Sequence, residues 1–211
     1  MKKRRTNEKK FKKLFNEFVE KILEYYPDDQ YYHSSEHIVA MLNCSKKISE
    51  VAKKEFPELH DSLESPEFIY SILMHDIIYE TGKNDNEEKS AEFAIEFAKS
   101  FFEIDEEFVR EMILSTKEGA ELDCIEKEIL HDLDWMRFTD LDYCKIALYQ
   151  LQNEALRDGF TKQQFFVGSL NFYNDLLKKE KIFVSPLFEQ FNKNTKHIIE
   201  ETIKYLYENF S

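Results

Sequence analysis

The chain has 211 residues, a formal net charge of −13, and only four Gly and four Pro. That length suits one domain with a sizeable core, and the scarcity of turn formers favours long helices. Eight Lys/Arg and one Glu give residues 1–13 a formal +7, which leaves −20 for the rest; so acidic a body argues against wrapping a long nucleic acid, which needs cationic contacts to phosphates.

No apolar run reaches the ~18 residues of a membrane span. The basic start is not followed by an apolar stretch and a small-residue cleavage site, so no secretory signal is expected. Cys44, Cys124 and Cys144 are odd in number, far apart and in no Cys-x-x-Cys arrangement, which suits packing thiols in a reducing compartment. The expectation is a cytoplasmic protein with no membrane partner, a solvated basic tail over residues 1–13 and one domain over 14–211.

The periodicity is helical almost throughout. Phe11, Leu14, Phe15, Phe18, Ile22 and Tyr25 follow the i, i+3, i+4, i+7 rule and predict a helix from about residue 8 to 26, ended by Pro27-Asp28-Asp29. Ile38, Met41, Leu42, Ile48 and Val51 mark a second helix over roughly 35–55. Ser65 as cap and Pro66 at the first helical position start a third, which carries Phe68, Ile72 and His75 and is expected to reach Tyr79. Thr81 to Asn86 reads as a loop, and a helix resumes from Glu87 to Phe102 through Ala91, Ala94, Ala98 and Phe101. Asp105 caps the next, with Phe108, Met112 and Ile113 inward; Ile125, Ile129, Leu133 and Met136 mark another. Thr139 is expected to start the following helix, Thr161 and Gln164 form a capping box before Phe165, and Pro186 is expected to begin the last helix. With about nine helices, no repeat and no linker, the fold class is all-α, a single helical domain.

Three clusters of ligand-type residues stand out: Tyr32-His33-Ser34-Ser35-Glu36-His37, His75-Asp76 and His131-Asp132-Leu133-Asp134. His75-Asp76 sits on the apolar stretch Ile72 to Tyr79, where a buried charge is costly unless compensated, as a metal ion would do. His33 and His37 are four apart and, if both are helical, share a face, so both are candidate ligands; His37 is preferred, with His33 near the substrate or supporting a ligand, where it could shuttle a proton. Glu36 is a candidate general base or a solvated charge at a helix start. Tyr79, one turn beyond His75, can face the same cleft, and Glu87 follows the intervening loop. Lys83, Lys89 and Lys117 are candidate phosphate-facing cations.

In that order, the three clusters resemble the HD superfamily of metal-dependent phosphohydrolases, and more narrowly a bacterial family of predicted HD phosphohydrolases of similar length. The likeness covers roughly residues 20–205 and rests on Tyr32-His33-Ser34-Ser35-Glu36-His37-Ile38, His75-Asp76-Ile77-Ile78-Tyr79, Asn86-Glu87-Glu88-Lys89-Ser90-Ala91, Asp132-Leu133-Asp134 and the region from Phe172 to Pro186. Glu154 also matches a glutamate of that family. The resemblance implies an HD-type helical bundle with His37, His75, Asp76 and either Asp132 or Asp134 as metal ligands, Asp134 being favoured. The chain departs from the family in having no histidine in Thr116-Lys117-Glu118-Gly119, Glu80 as the lone acid after the His-Asp motif, and Ser169 where an arginine follows the glycine.

The expected cofactor is one divalent ion (Mn, Fe, Co, Ni, Zn or Mg), since a mixed nitrogen and oxygen donor set suits such ions better than Ca. The expected function is hydrolysis of a small phosphate ester or phosphoanhydride, extended by analogy to a nucleotide, with His33, Glu36, Tyr79 and Glu87 as candidate catalytic residues. The alternative is a catalytically inactive module of the same fold that binds a nucleotide or a protein partner. A di-iron oxygenase would need further histidines, and only His33 lies near in sequence.

Overall fold

The computed structural model describes residues 18–27, 29–101 and 103–211. The basic tail and the start of the first expected helix lie outside the described residues. The expected all-α class is what is seen: ten α-helices and no strand among the described residues. Helix α1 is described over 18–23; then come α2 (Ser35–Glu55), α3 (Pro57–Leu63), α4 (Pro66–Met74), α5 (Asn86–Ala98), α6 (Glu106–Leu114) and α7 (Ile125–Asp134). A 3-10 turn (Trp135–Thr139) leads into α8 (Leu141–Arg157), α9 (Lys162–Lys178), a second 3-10 turn (Glu189–Phe191) and α10 (Asn192–Phe210). Among the described residues, no helix is long and apolar enough to cross a membrane.

Local signals set most helix starts. Ser65 Oγ accepts from Phe68 N at 3.2 Å ahead of Pro66, and Asp105 Oδ1 accepts from Phe108 N at 3.1 Å. Thr161 and Gln164 satisfy each other's backbone N–H as a capping box.

Four boundaries differ from expectation. Helix α8 starts after Asp140, whose Oδ1 accepts from Tyr143 N at 2.9 Å, while the Thr139 hydroxyl turns back to the Met136 carbonyl. Helix α5 ends at Ala98, where the chain tightens into bonds from Ser100 N to Phe97 O and from Phe101 N to Ala98 O. Pro186 lies in a turn, and α10 waits until Asn192, whose side chain is tied back to the backbone of Ile182 and Phe183.

The fourth difference shapes the site: α4 ends at Met74, not Tyr79. Two of its last carbonyls are taken by side chains, Ile72 O by His75 Nδ1 at 2.9 Å and Leu73 O by the Tyr26 hydroxyl at 2.8 Å. The turn that follows is clasped by α5. Ser90 Oγ accepts from Ile78 N and donates to Ile78 O, and the Asn86 amide pairs with both backbone groups of Glu80. Asn86 and Ser90 thus hold the turn that carries Asp76.

Two apolar clusters flank α4, which is buried nearly all round. Phe68 and Ile72 face the larger cluster, with Met41, Leu130, Phe138 and Leu148; Tyr70 and Leu73 face the smaller, with Ile22, Ala91, Ala94 and Val109. The loop after Tyr79 rests on the end of α8. Gly82 has φ +78°, and a Cβ there would lie 2.6 Å from Phe160 Cζ, so only glycine fits.

Asp158 holds the same loop by accepting from Thr81 N at 2.7 Å, and it also binds Arg157. Burial raises this carboxyl, but the bonds from Arg157 and Thr81 outweigh it and lower the pKa from 3.8 to about 2. The stabilisation is therefore present above pH 3.8 and fades as the pH falls toward 2. Asp158→Asn is expected to be less stable than wild type in urea at neutral pH, with the gap closing over that acid window.

Candidate metal centre

Three helix ends deliver the ligand-type residues. His37 lies in the first turn of α2, His75 is the residue that ends α4, Asp76 follows it, and Asp134 is the last residue of α7. One nitrogen or oxygen from each lies within 4.8 Å of the other three, so the four could hold a metal ion. His37 Nε2 is 3.1 Å from Asp134 Oδ1; His75 Nε2 is 2.9 Å from Asp76 Oδ2 and 3.7 Å from Asp134 Oδ1. The imidazoles are shut in, whereas the Asp76 and Asp134 side chains keep 13% and 20% exposure, which opens the cluster to solvent on the carboxylate side.

The donor set fits a cation. His75 Nδ1–H donates to the Ile72 carbonyl, which turns the lone pair of Nε2 toward the carboxylates. Despite its short approach to Asp76, His75 Nε2 has no hydrogen bond of sound geometry, and His37 Nδ1 is buried without a partner. An orphaned Nε2 beside two carboxylates, as at His75, is what an ion satisfies.

The electrostatics agree. Burial holds the His37 imidazole below its ordinary value, and Asp134 does not make up the difference. Burial pulls His75 the same way, but Asp76 and Asp134 outweigh it and hold that imidazole well above its ordinary value. Burial raises both carboxyls, yet the two imidazoles hold Asp134 well below the usual range, and His75 with His33 lowers Asp76. Two ionised carboxylates in so apolar a place call for positive charge.

His33 is buried beside this cluster. Its Nδ1 lies 2.7 Å from Glu154 Oε2, and Glu154 Oε1 accepts from Tyr32 N and His33 N at 2.7 and 2.9 Å. The Tyr79 ring stacks on the imidazole at 3.3 Å between centroids. Burial raises the Glu154 carboxyl, but His33 outweighs it and holds the pKa below the ordinary value. Glu87 is half-buried; burial, with Asp76 nearby, pushes its carboxyl up. Glu36 is exposed, pointing away from its neighbour His37, and does not join the cluster.

The lysines proposed as phosphate contacts are otherwise engaged or exposed. Lys89 pairs with Asp85 at 3.0 Å, Lys117 with Glu88 and the Asn84 carbonyl, and Lys83 is exposed. The cation that sequence reasoning missed is Arg137, one helical turn past Asp134. A spacing of i+3 from a candidate ligand was the available signal.

Asp132 takes a different part. It is fully buried and accepts from Val184 N and Ser185 N at distances of 2.8–3.1 Å, pinning the segment before Pro186, and it lies 3.1 Å from His131 Nδ1. Asp132→Asn is expected to cost about 1–3 kcal/mol of stability in urea denaturation, the penalty of an impaired buried acceptor. Equilibrium dialysis should show its metal uptake unchanged.

No protein-family model, curated protein or solved structure matches the chain.

Proposed function

We propose that the protein is a metal-dependent phosphohydrolase of the HD type, acting on a small phosphate ester or phosphoanhydride, with water attacking phosphorus. The observation that carries this reading is the convergence of His37, His75, Asp76 and Asp134 from three helix ends, with the buried Nε2 of His75 left unpartnered beside the carboxylates. A divalent ion held by these four supplies Lewis acidity toward a phosphoryl oxygen and lowers the pKa of water.

The remaining roles fall to the chain's own groups. Glu154 engages His33 Nδ1, so Nε2 is the ring nitrogen left to take up or deliver a proton. Tyr79 fixes the plane of that ring by stacking. Glu87, with its carboxyl raised by burial, is suited to hold a proton near the site at higher pH than an exposed glutamate.

Elemental analysis of the purified chain, paired with phosphate release from a panel of phosphate monoesters and anhydrides, tests this reading. Metal bound in near-stoichiometric amount and phosphate released from at least one compound is the expected result. A metal-loaded protein inert toward the whole panel would leave a non-catalytic binding module as the better account.

A further inference from the structure

A cavity of about 460 Å³ is lined by Tyr79 and Arg137, which lies three residues past Asp134, and walled by Phe160, Phe165 and Phe172. Its volume lies in the range of small-molecule sites and is too small for a polymer. Tyr79 connects this cavity to the residues beside the candidate metal centre, since it also stacks on His33.

Arg137 is the unusual group in this wall. Its guanidinium carbon lies 4.9 Å from the centre of the Tyr32 ring, 4.7 Å from Phe138 and 5.9 Å from Phe172. Among the described residues, no carboxylate comes within the 4.0 Å of an ion pair, and Nε is buried without a hydrogen-bond partner. The groups that act on its charge are the phenols of Tyr32 and Tyr173 and the carboxylate of Asp134. Aromatic faces offset part of the cost of burying a cation, but they do not accept the hydrogen bonds of a five-donor fork. A guanidinium so placed has no carboxylate in direct contact among the described residues, and the planar fork matches a phosphate group through paired hydrogen bonds. The surrounding rings offer faces and edges to a flat organic group.

We infer that Arg137 anchors the phosphate of an aryl or heteroaryl phosphate monoester whose ring lies among Phe160, Phe165 and Phe172. This assignment names the substrate class for the activity proposed above and rests on that reading.

The test is calorimetric titration of the full chain with phenylphosphonate, a non-hydrolysable aromatic probe, and with methylphosphonate. Wild type is expected to bind phenylphosphonate about tenfold more tightly than methylphosphonate. Arg137→Met is expected to weaken phenylphosphonate roughly 10- to 100-fold, the loss of a charge-assisted contact, with metal content unchanged. Should that variant fail to fold, Arg137→Lys keeps the charge without the fork, and its affinity is expected to fall about tenfold.

Unaltered phenylphosphonate affinity in the variant, or no binding by wild type, would overturn the assignment. The two readings fail separately. Arg137-dependent binding by a protein that hydrolyses no phosphate ester removes the hydrolase reading and leaves the subsite. Phosphate release from p-nitrophenyl phosphate with KM unmoved in Arg137→Met removes the subsite and leaves the hydrolase.

Discussion

A divalent transition ion in excess is expected to raise the melting temperature of the metal-free protein, and His75→Ala is expected to abolish that increment. An ion that binds only the folded chain stabilises it by about 2.7 kcal/mol at a hundred times its dissociation constant. For a chain of this size the rise should be roughly 5–10 °C. His75 is the residue to remove because its Nε2 stands between both carboxylates, 2.9 Å from Asp76 and 3.7 Å from Asp134. Alanine leaves those carboxylates facing each other without their shared partner, so the variant should also be less stable before any ion is added. Metal displaces protons from imidazole, so the wild-type increment should shrink as the pH is lowered. Scanning calorimetry with and without Mn or Zn checks all of this; an equal increment in wild type and His75→Ala would refute the ligand assignment.

The second large effect belongs to Glu154. Its carboxylate is buried and satisfies two backbone N–H groups and one imidazole, so Glu154→Gln disturbs three bonds at once. Impairing a buried acceptor of hydrogen bonds to charged or backbone groups typically costs about 1–3 kcal/mol, and denaturant unfolding should show a loss of that order. If His33 moves the proton, kcat for phosphate release should fall by roughly 10²–10⁴, the usual contribution of a positioned acid or base. His33→Ala should match that drop while metal content stays at the wild-type level. A double variant no worse than either single would show that the pair acts as a unit.

How much of this was legible beforehand depended on how far each signal reached along the chain. Apolar periodicity and local caps identified helices where the determinants lie within a turn of each other, as at Ser65 and at Thr161 with Gln164, although at α8 the local cap is Asp140 and not its neighbour Thr139. Boundaries failed where distant groups intervene: the Tyr26 hydroxyl at the end of α4, and Ile182 and Phe183 at the start of α10. His75-Asp76 was readable because ligand-type residues in an apolar stretch are rare, and the full set of four ligand candidates came from the resemblance. The resemblance already favoured Asp134 over Asp132, and the fold adds the physical reason, since there Asp132 turns to the backbone of Val184 and Ser185. Glu36 stands next to His37 in sequence, but neighbours on a helix point about 100° apart, and that geometry excludes it from the shared cluster. The role of Glu154 was invisible because its partners lie more than a hundred residues away.

His75 both terminates α4 and offers a nitrogen to the cluster, and this ties the length of that helix to its chemistry. An extra residue between Ser65 and Met74 would swing the imidazole about 100° around the axis and carry it 1.5 Å along it. Insertions there should be lethal to function even when the fold tolerates them, whereas connectors away from the cluster, such as 118–122, should tolerate changes in length. Lineage variation in chain length should therefore gather in those connectors and spare the nine positions of α4.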